Sequence, residues 1–467
     1  MIGSMKMKAA TRDAYILVHK GVLSLARAER QGIRIDIEYC ENQRKKLTRK
    51  IDYYQKKLAG TKFYKRWQYI YREKTNVYSN DQLSNVLYKH MKIDPPKFTE
   101  SGQGATDEEA LKRLGISELN WIIEMRKLAK IRDTYLEQFI RETNKDGYMR
   151  PFFNLHTVRT FRSSSSDPNF QNIPKRDKEA MRICRRAILP RPGHMLVEAD
   201  FSALEVMIGA CYHKDPIMMK YLHDKNSDMH SDMAKQIFFL ETLDKSIPTH
   251  NLLRQAAKNG FVFPQFYGDY YANNAQSICE WVKLPINKGE KRWSRNWGME
   301  FLDGTTIAEH FWKNGIKSFN DFVEHMRQVE DDFWNRRFRV YQQWKDDWVA
   351  QYQQKGYLEM LTGFRCSGVM RKNEIINYPI QGSAFHCLLF TFIQLDQIII
   401  EKKWDSKLVG QIHDSIVIDA NPEEVPLLEE ALIKIVKEEL PRTWKWIIVP
   451  LEIEVDVYGI DKPWLKD

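Results

Sequence analysis

The 467-residue sequence has little that would hold a protein together covalently or anchor it in a membrane. Its six cysteines are scattered, with no CxxC pair, which excludes a disulfide-stapled scaffold and argues against a zinc site. We expect reduced, packed thiols of an intracellular protein. No apolar run approaches the roughly 18 residues of a membrane span, and no signal peptide is recognisable, so we expect no membrane partner. The opening MIGSM is excluded from the fold interpretation.

The chain does have length, positive charge and aromatic residues. With 467 residues, 43% of them hydrophobic, it is long enough for roughly three folding units. A net charge of +10 and 12% aromatic residues favour a polyanionic partner such as a nucleic acid. A soluble protein that is merely basic is the alternative.

Helical sequence forms the first large block. Residues 14–36 have amphipathic spacing and end in an extended IRID. Residues 41–74 place Leu47, Ile51, Tyr54 and Leu58 on one face and Lys and Arg on the others, as in a helix that touches a phosphate backbone. A solvated helix face is the alternative. Residues 106–144 are helical again.

Strand-like sequence appears in two separated sections. The first holds YMRPFFNLHTVRTF and HMLVEADFS, and the second holds LVGQIHDSIVID and WIIVPLEIEVDVYG. Residues 216–345, between them, have mostly helical sequence. The economical architecture is one sheet built from both sections, with one helical lobe inserted and another preceding it.

Two aspartates interrupt or end apolar, strand-like runs in these sections: Asp200 in VEADFSALE and Asp414 in QIHDSIVID. If both sections share a sheet, the two side chains can meet. Adjacent carboxylates repel each other, whereas divalent cations compensate them and keep positions open for phosphates. The pair predicts a two-metal site for in-line phosphoryl transfer. Two satisfied structural aspartates are the alternative.

The segment RQAAKNGFVFPQFYG combines cations with aromatic residues. Arg254 and Lys258 are four residues apart, and Phe263 and Tyr267 repeat that spacing, so each pair shares a helix face. Such a set can hold a triphosphate and stack a base. An isolated R-x-x-x-K pair is usually a solvated helix face.

Two further segments, RSSSSDPNFQNIP (162–174) and NYPIQGSA (377–384), contain extended side chains that can donate hydrogen bonds. Arg162, Asn377 and Gln381 could contact the minor-groove acceptors that every Watson–Crick pair presents in nearly the same places. Such contacts test the shape of a base pair without reading its sequence. Copying a template requires this property.

In this order, these segments resemble the family A DNA polymerases of the bacterial DNA polymerase I type, over nearly the whole chain. DFSALE resembles motif A, Arg254 to Tyr267-Gly268 motif B, and QIHDS motif C. The resemblance implies an α+β fold of right-hand polymerase architecture, with an antiparallel-sheet palm, helical fingers and a helical thumb. It predicts a lead-in segment at 1–36, the thumb at 37–147, the palm at 148–215 and 346–467, and the fingers, with an insertion after motif B, at 216–345.

The implied activity is template-directed addition of dNTPs to a primer 3′-hydroxyl on primer–template DNA, with release of pyrophosphate. It implies two Mg²⁺ ions, for which Mn²⁺ can substitute. By resemblance, Asp200, Asp414 and the main-chain carbonyl of Phe201 bind the metals, and Lys258 is a third catalytic residue. The nucleotide-binding residues are Glu205, His230, Arg254, Lys258, Phe263 and Tyr267. The DNA-binding residues are Arg162, Asn169, Gln171, Asn377, Gln381 and His413.

Two alternatives accompany this resemblance. The first is a relative of the single-subunit phage RNA polymerases, but Glu205 and Tyr267 together are expected to exclude a ribose 2′-hydroxyl. The second is an inactive module that only binds primer–template, which would have lost Asp200, Asp414 or Lys258. All three residues are present.

We also expect a cytoplasmic monomer from a bacterium or a phage-infected cell, with any processivity or exonuclease partner unidentified. No 3′–5′ proofreading domain is expected in this chain, because Asp36-Ile37-Glu38 is followed at once by thumb-like helices. Ala203 and Ser415 replace the Gln and Glu usual in bacterial relatives, which resembles phage-like members.

Motif B departs from the family pattern by one extra residue between Lys258 and Tyr267. Pro264 also falls where a helix interior is expected, and its ring would clash with the carbonyl of Gly260. We therefore predict a kink, π-bulge or break near 259–264 that absorbs the extra residue. It would bring Phe263, rather than Phe261, to the pocket.

Residues 269–337 are longer than the usual connection after motif B and contain KGEKRWSRNWG. This segment is either an extension of the fingers that touches downstream DNA or a surface insertion. If it binds DNA, changing Lys288, Lys291, Arg292 and Arg295 to Glu should reduce strand displacement because phosphate contacts are lost. Extension past a blocking strand, with extension on an open template as the control, measures this. Unchanged displacement would contradict the DNA contact.

Overall fold

The computed structural model describes residues 6–99, 101–174, 177–224, 226–286 and 291–466. The opening MIGSM and Lys288 therefore lie outside the described residues. Within these ranges the chain mixes helices with small antiparallel sheets, as the α+β prediction requires.

The first third of the chain is mostly helical. Helices α2 and α6 pack along each other, and a separate small core surrounds the fully buried Trp67. The predicted face of α2 is correct, since Leu47, Ile51 and Leu58 are buried. The elements are β1 (Lys6–Ala9), α1 (Arg12–Gln31), β2 (Ile33–Ile35), α2 (Ile37–Ala59), α3 (Lys62–Tyr71), α4 (Asn80–Ser84), α5 (Glu108–Arg113), α6 (Ser117–Ala129) and α7 (Glu137–Glu142). Short 3₁₀ or π-helical turns occupy Arg72–Lys74, Asn85–His90 and Lys130–Leu136.

The first strand-rich section and the helical section follow. Their strands and first helices are β3 (Tyr148–Met149), β4 (Phe152–Asn154), β5 (Ser164–Ser166), α8 (Lys178–Arg186), β6 (Ile188–Leu189), β7 (Met195–Phe201), α9 (Leu204–His213), α10 (Pro216–His223) and α11 (Met229–Phe238). The remaining helices are α12 (Pro248–Ala257), α13 (Phe263–Phe266), α14 (Tyr271–Trp281), α15 (Ile307–Lys313), α16 (Phe319–Asp331) and α17 (Arg339–Lys355). Single 3₁₀ or π-helical turns lie at Phe170–Asn172, Lys258–Val262 and Asp332–Arg337.

The last section returns to strands around one long helix. It contains β8 (Tyr357–Glu359), β9 (Phe364–Ser367), α18 (Lys372–Lys402), β10 (Lys407–Ile412), β11 (Ser415–Ala420), α19 (Val425–Lys434), α20 (Leu440–Thr443) and β12 (Ile453–Val457). Short turns occupy Pro422–Glu424 and Ile435–Glu439.

One antiparallel sheet joins β7 of the first strand-rich section to β10, β11 and β12 of the second, as predicted, whereas the remaining strands of the first section form separate smaller sheets. The shared sheet has the strand order β10-β11-β7-β12, and both faces of β7 and β11 are largely buried. Elsewhere the predicted strands are longer than the observed ones. YMRPFFNLHTVRTF forms only β3 and β4, which Pro151 separates, and the last predicted strand is confined to β12 after Pro450. Proline cannot donate to a sheet ladder, which explains both interruptions.

Helix α18 corrects the expectation that no segment reaches the length of a membrane span. Its 31 residues are apolar enough, by length and composition alone, to cross a membrane. However, 72% of its most apolar window is buried inside the protein, where it packs against α1 and α9. The helix is apolar because it fills the core beneath the sheet. All six cysteines are free and buried, as predicted.

The predicted irregularity in motif B is present as a π-helical turn over Lys258–Val262. The chain resumes as α13 at Phe263, so Pro264 occupies the first helical turn, where its missing N–H is tolerated. Phe261 is fully buried in the core. The predicted irregularity near 259–264 is confirmed, and Phe263 rather than Phe261 lines the cleft.

Gly382 allows α18 to approach the loop that carries Arg162. A Cβ atom at Gly382 would lie 2.6 Å from the main-chain carbonyl oxygen of Thr160. This oxygen can move away only if the backbone around Thr160 moves with it. We expect Gly382→Ala to lower the free energy of unfolding by about 1–3 kcal/mol, as overpacking does. Urea denaturation measures this.

The control is Gly209→Ala in α9, whose added Cβ would meet Ile380 Cδ1 at an ordinary 3.6 Å. That variant should keep or slightly raise the stability, because Ala favours helix over Gly by about 1 kcal/mol. Equal losses in both variants would contradict the close-approach argument.

Candidate active site

A cleft of about 1210 Å³ lies between the helices of the first third and the end of the central sheet. One wall comes from α5 and α6, and the facing wall comes from α9, from Phe263 and Tyr267, and from the turn at His413 and Asp414. Several residues predicted from the sequence line it together: Arg162, Glu205, Phe263, Tyr267, His413 and Asp414. Segments that are far apart in sequence thus converge on one cavity.

The two predicted metal-binding aspartates lie on neighbouring strands. Asp200 is near the end of β7 and pairs in register with Ser415, the first residue of β11. Asp414 precedes Ser415, and its carbonyl oxygen accepts a hydrogen bond of 3.1 Å from the N–H of Phe201. Since neighbouring strands lie about 4.8 Å apart, both aspartates belong to the same small region.

The turn that carries Asp414 is a two-residue hairpin between β10 and β11. His413 has a φ of 51°, the left-handed conformation that tight hairpins need at their first central residue. The carboxylate of Asp414 is half-buried beside the exposed His413. The hairpin suggested by the sequence QIHDSIVID is therefore present.

These residues fit a hard divalent cation. No cluster of three or more His, Cys, Asp or Glu suited to a metal occurs among the described residues. The candidate ligands are thus the carboxylates of Asp200 and Asp414 and the carbonyl of Phe201. A small set of oxygen donors that leaves positions for water and phosphate suits Mg²⁺.

Glu205 connects three of the predicted residues at the cleft. Its carboxylate forms an ion pair with Arg162 and accepts a hydrogen bond of 3.1 Å from the Tyr267 hydroxyl. Tyr267 itself is 55% exposed. The Glu205 carboxylate and the Tyr267 ring are held together in this way. They narrow the cleft that Asp414 also lines.

Arg254 is held by an acid that sequence reasoning missed. Its Nε and Nη2 donate to the carboxylate of Asp228 at 2.8 and 3.2 Å, and Lys245 Nζ lies 2.6 Å from the same group. Burial disfavours ionisation of Asp228, but these hydrogen bonds outweigh it and hold its pKa well below the usual range. Asp228 also caps α11. Its position directly before that helix is the only feature of the sequence that could have pointed to Asp228.

His230 and Lys258 both contact the ring of Phe263, which lines the cleft. The His230 ring meets the Phe263 ring edge-on with centroids 5.6 Å apart, and Lys258 Nζ lies 5.2 Å from the Phe263 centroid. Burial, followed by the charges of Arg254 and Lys258, lowers the pKa of His230 to about 4. The buried Nδ1 of His230 has no hydrogen-bond partner in the described part of the chain.

Most of the predicted DNA-binding residues surround a smaller adjoining cavity of about 200 Å³. Arg162, Asn169, Gln171 and His413 all line it. Gln171 Nε2 donates to the Ser163 hydroxyl at 2.7 Å and to Gln411 Oε1 at 2.6 Å. Gln411, which the sequence interpretation had not singled out, thereby links the 162–174 loop to the His413–Asp414 hairpin.

The two remaining predicted DNA contacts lie on α18. Asn377 lines a pocket of about 100 Å³ together with Glu205, Phe263 and Tyr267. Gln381 follows one turn later, is half-buried, and lines none of the three cavities described so far.

The segment after motif B borders a second large cavity, of about 1560 Å³, between α5 and α14. Arg113 at the end of α5 makes an ion pair of 2.7 Å with Glu280 of α14, and Lys291 lines the same space. Arg292 is exposed, and the guanidinium of Arg295 lies 5.0 Å above the Trp312 ring. The three described cations of the predicted DNA contact therefore lie at or near the surface.

Comparison with known proteins gives consistent matches over most of the chain. Residues 37–281 and 323–464 match the family described as DNA polymerase family A. DNA polymerase I of Aquifex aeolicus (strain VF5) is 28% identical over 451 residues, which cover 96% of this chain and 66% of that protein. The thermostable DNA polymerase I of Thermus filiformis is 26% identical over 95% of this chain and 47% of its own length. The chain thus spans about half to two thirds of these relatives.

A solved structure shares the fold. The POL domain of Pol1 from M. smegmatis, in complex with DNA primer-template and dNTP, superposes with a TM-score of 0.70 at 23% identity, covering 95% of this chain and 69% of that one. The sheet, the helical walls and the cleft define a polymerase-type fold. The chain belongs to DNA polymerase family A. The unmatched residues 282–322 fall within the segment expected to be an insertion.

The depressed pKa of His230 predicts a pH effect on stability. Between pH 6.5 and about 4 the unfolded chain takes up a proton at this histidine and the folded chain does not, so the free energy of unfolding falls as the pH falls. His230→Gln should therefore lose less stability between pH 7 and 4.5 than the wild type, as measured by urea denaturation. The exposed His156→Gln is the control, and equal pH dependence in wild type and His230→Gln would contradict the prediction.

Proposed function

We propose that this chain is a DNA-directed DNA polymerase that adds dNTPs to the 3′-hydroxyl of a primer paired with a template strand. The observation that carries the proposal is the pairing of β7 with β11, which puts Asp200 on the strand beside the turn of Asp414, and Asp414 lines a cleft together with Glu205, Phe263 and Tyr267. Family membership and the primer-template and dNTP of the M. smegmatis complex support the same substrates.

Asp200, Asp414 and the Phe201 carbonyl would hold two divalent cations. When bound, these cations supply activation of the primer hydroxyl and neutralisation of charge on the departing pyrophosphate. Mg²⁺ suits the oxygen ligands, and Mn²⁺ can substitute. Arg254 and Lys258 would bind the phosphates and, since electrostatic stabilisation dominates such sites, stabilise the charge that develops on them. Lys258 would also protonate the leaving group.

His230 would donate a hydrogen bond to a phosphate oxygen, and the neighbouring charges of Arg254 and Lys258 would attract the phosphates. Phe263 and Tyr267 would pack against the base and sugar of the incoming nucleotide. Asp228 has a supporting role, since it fixes the Arg254 guanidinium at the cleft wall. A phosphate that binds this guanidinium would therefore meet it in an orientation that Asp228 has fixed.

The pair Glu205 and Tyr267 would select deoxyribose. Their hydrogen bond of 3.1 Å leaves a carboxylate where a 2′-hydroxyl would have to fit, so a ribonucleotide would have to break this contact. Arg162, Asn169, Gln171, Asn377, Gln381 and His413 would contact the primer–template near the growing end. Four of them already share one cavity. We propose a cytoplasmic monomer, in line with the bacterial relatives.

Primer extension with Mg²⁺, comparing dNTPs with NTPs, tests this function on the wild type and on Asp414→Ala. We expect extension with dNTPs only, and a loss of at least about a thousandfold in the variant, because a hard cation would lose a carboxylate ligand. The control is Asp303→Ala, which removes an exposed carboxylate outside the cleft and should retain full activity.

The other outcomes discriminate between the alternatives. Equal use of NTPs would mean that Glu205 does not exclude ribose and would favour the phage RNA polymerase relationship. Tight primer–template binding without extension by the wild type would favour the inactive binding module. Full activity of Asp414→Ala would contradict the two-metal site.

A further inference from the structure

A buried carboxylate lies directly behind the proposed metal site. Glu198 is two residues before Asp200 on β7 and is only 5% exposed. Side chains two residues apart on a strand point to the same face. Glu198 and Asp200 therefore share one side of the central sheet, with Glu198 on the interior side of the strand end.

Four side chains from different parts of the chain donate to this carboxylate. Arg185 of α8 binds it through two nitrogens at 2.8 and 3.3 Å. The Tyr458 hydroxyl and the Trp464 indole N–H each lie 3.1 Å from Oε2. The Ser415 hydroxyl lies 3.2 Å from Oε1. The charge is thus compensated and its oxygens are occupied, which excludes Glu198 as a metal ligand in this arrangement.

The Ser415 contact leads to the metal site. Ser415 pairs with Asp200 across the sheet and follows Asp414 in sequence. Its one hydroxyl proton is shared between Glu198 Oε1 and the carbonyl oxygen of Ile412, which lies 2.9 Å away, so the hydroxyl also spans the His413–Asp414 turn. This buried hydroxyl connects Glu198 with both ends of the turn that carries Asp414.

We propose that Glu198 and Ser415 are positioning residues for the catalytic carboxylates. Arg185 fixes the Glu198 carboxylate, Glu198 fixes the Ser415 hydroxyl, and Ser415 holds the turn so that Asp414 faces Asp200 at the separation that two cations require. Groups behind metal ligands commonly change metal affinity or activity by about 10- to 100-fold when removed. This inference rests on the proposed polymerase function.

Ser415→Ala is the decisive variant because it removes the link to the turn and leaves the Arg185–Glu198 ion pair intact. Tyr458→Phe is the matched control, since it removes a different hydrogen bond to the same carboxylate on the side away from the turn. Glu198→Gln would leave Arg185 buried without its counter-charge and is prone to unfolding, so the test does not depend on it.

Two measurements test the inference. The first is binding of Mn²⁺ to the DNA-free chain, followed by the electron paramagnetic resonance signal of free Mn²⁺. The second is the Mg²⁺ concentration that gives half-maximal primer extension. We expect Ser415→Ala to weaken Mn²⁺ binding and to raise the Mg²⁺ requirement about tenfold, with the KM for dNTP unchanged, while Tyr458→Phe matches the wild type in both.

A merely structural role for this cluster predicts a different result. Ser415→Ala and Tyr458→Phe would then lose similar stability in urea and leave the metal dependence unchanged, which would overturn the inference while the wild type still extends primers. A wild type that neither binds Mn²⁺ nor extends a primer would refute the proposed function itself.

Discussion

The antiparallel register of β7 on β11 is the constraint on which the candidate site depends. Ser415 pairs with Asp200, and a slip of one residue would turn Asp200 to the other face of the sheet. The strands come from distant parts of the chain, so sequence proximity cannot set this register. It is set by the buried apolar residues of both strands and by the Phe201 to Asp414 main-chain hydrogen bond. Without it, Asp200 would not lie on the strand beside Asp414, which lines the cleft.

Several buried or partly buried acids elsewhere in the fold are paired with arginine, whereas the buried Asp215 accepts hydrogen bonds from main-chain N–H groups. Glu198 is paired with Arg185, Asp419 with Arg191, and Asp228 with Arg254. An unpaired buried carboxylate would be strongly destabilising, and the planar guanidinium gives two oriented donors for each acid. Asp414 differs because it lines the open cleft, where cations and substrate phosphates can balance its charge.

Periodicity and residue type predicted much of this arrangement. They identified the shared sheet, the hairpin at His413–Asp414 and the irregular helix before Phe263, because these features depend on local patterns of apolar residues and proline. They did not identify the Asp228–Arg254 pair or the contacts of Glu198. Those contacts join elements that are distant in sequence, and a pattern gives the face of an element without naming its partner. The membrane-length character of α18 was missed because polar residues such as Gln381 and Asp396 interrupt its apolar runs.

The π-helical turn in motif B shows how one added residue is made compatible with the site. In a regular α-helix an insertion rotates everything after it by about 100°, since each turn holds 3.6 residues. The wider turn over Lys258–Val262 takes up that rotation, and Lys258 Nζ stays 5.2 Å from the Phe263 ring.

Gly260 suits the turn because α14 comes close, and a Cβ there would lie 2.9 Å from Ile278 Cδ1. Pro264 can follow because the altered hydrogen bonding no longer requires its N–H. Gly260, Pro264 and the extra residue therefore act together. They keep the Lys258 ammonium next to the ring of Phe263, which lines the cleft.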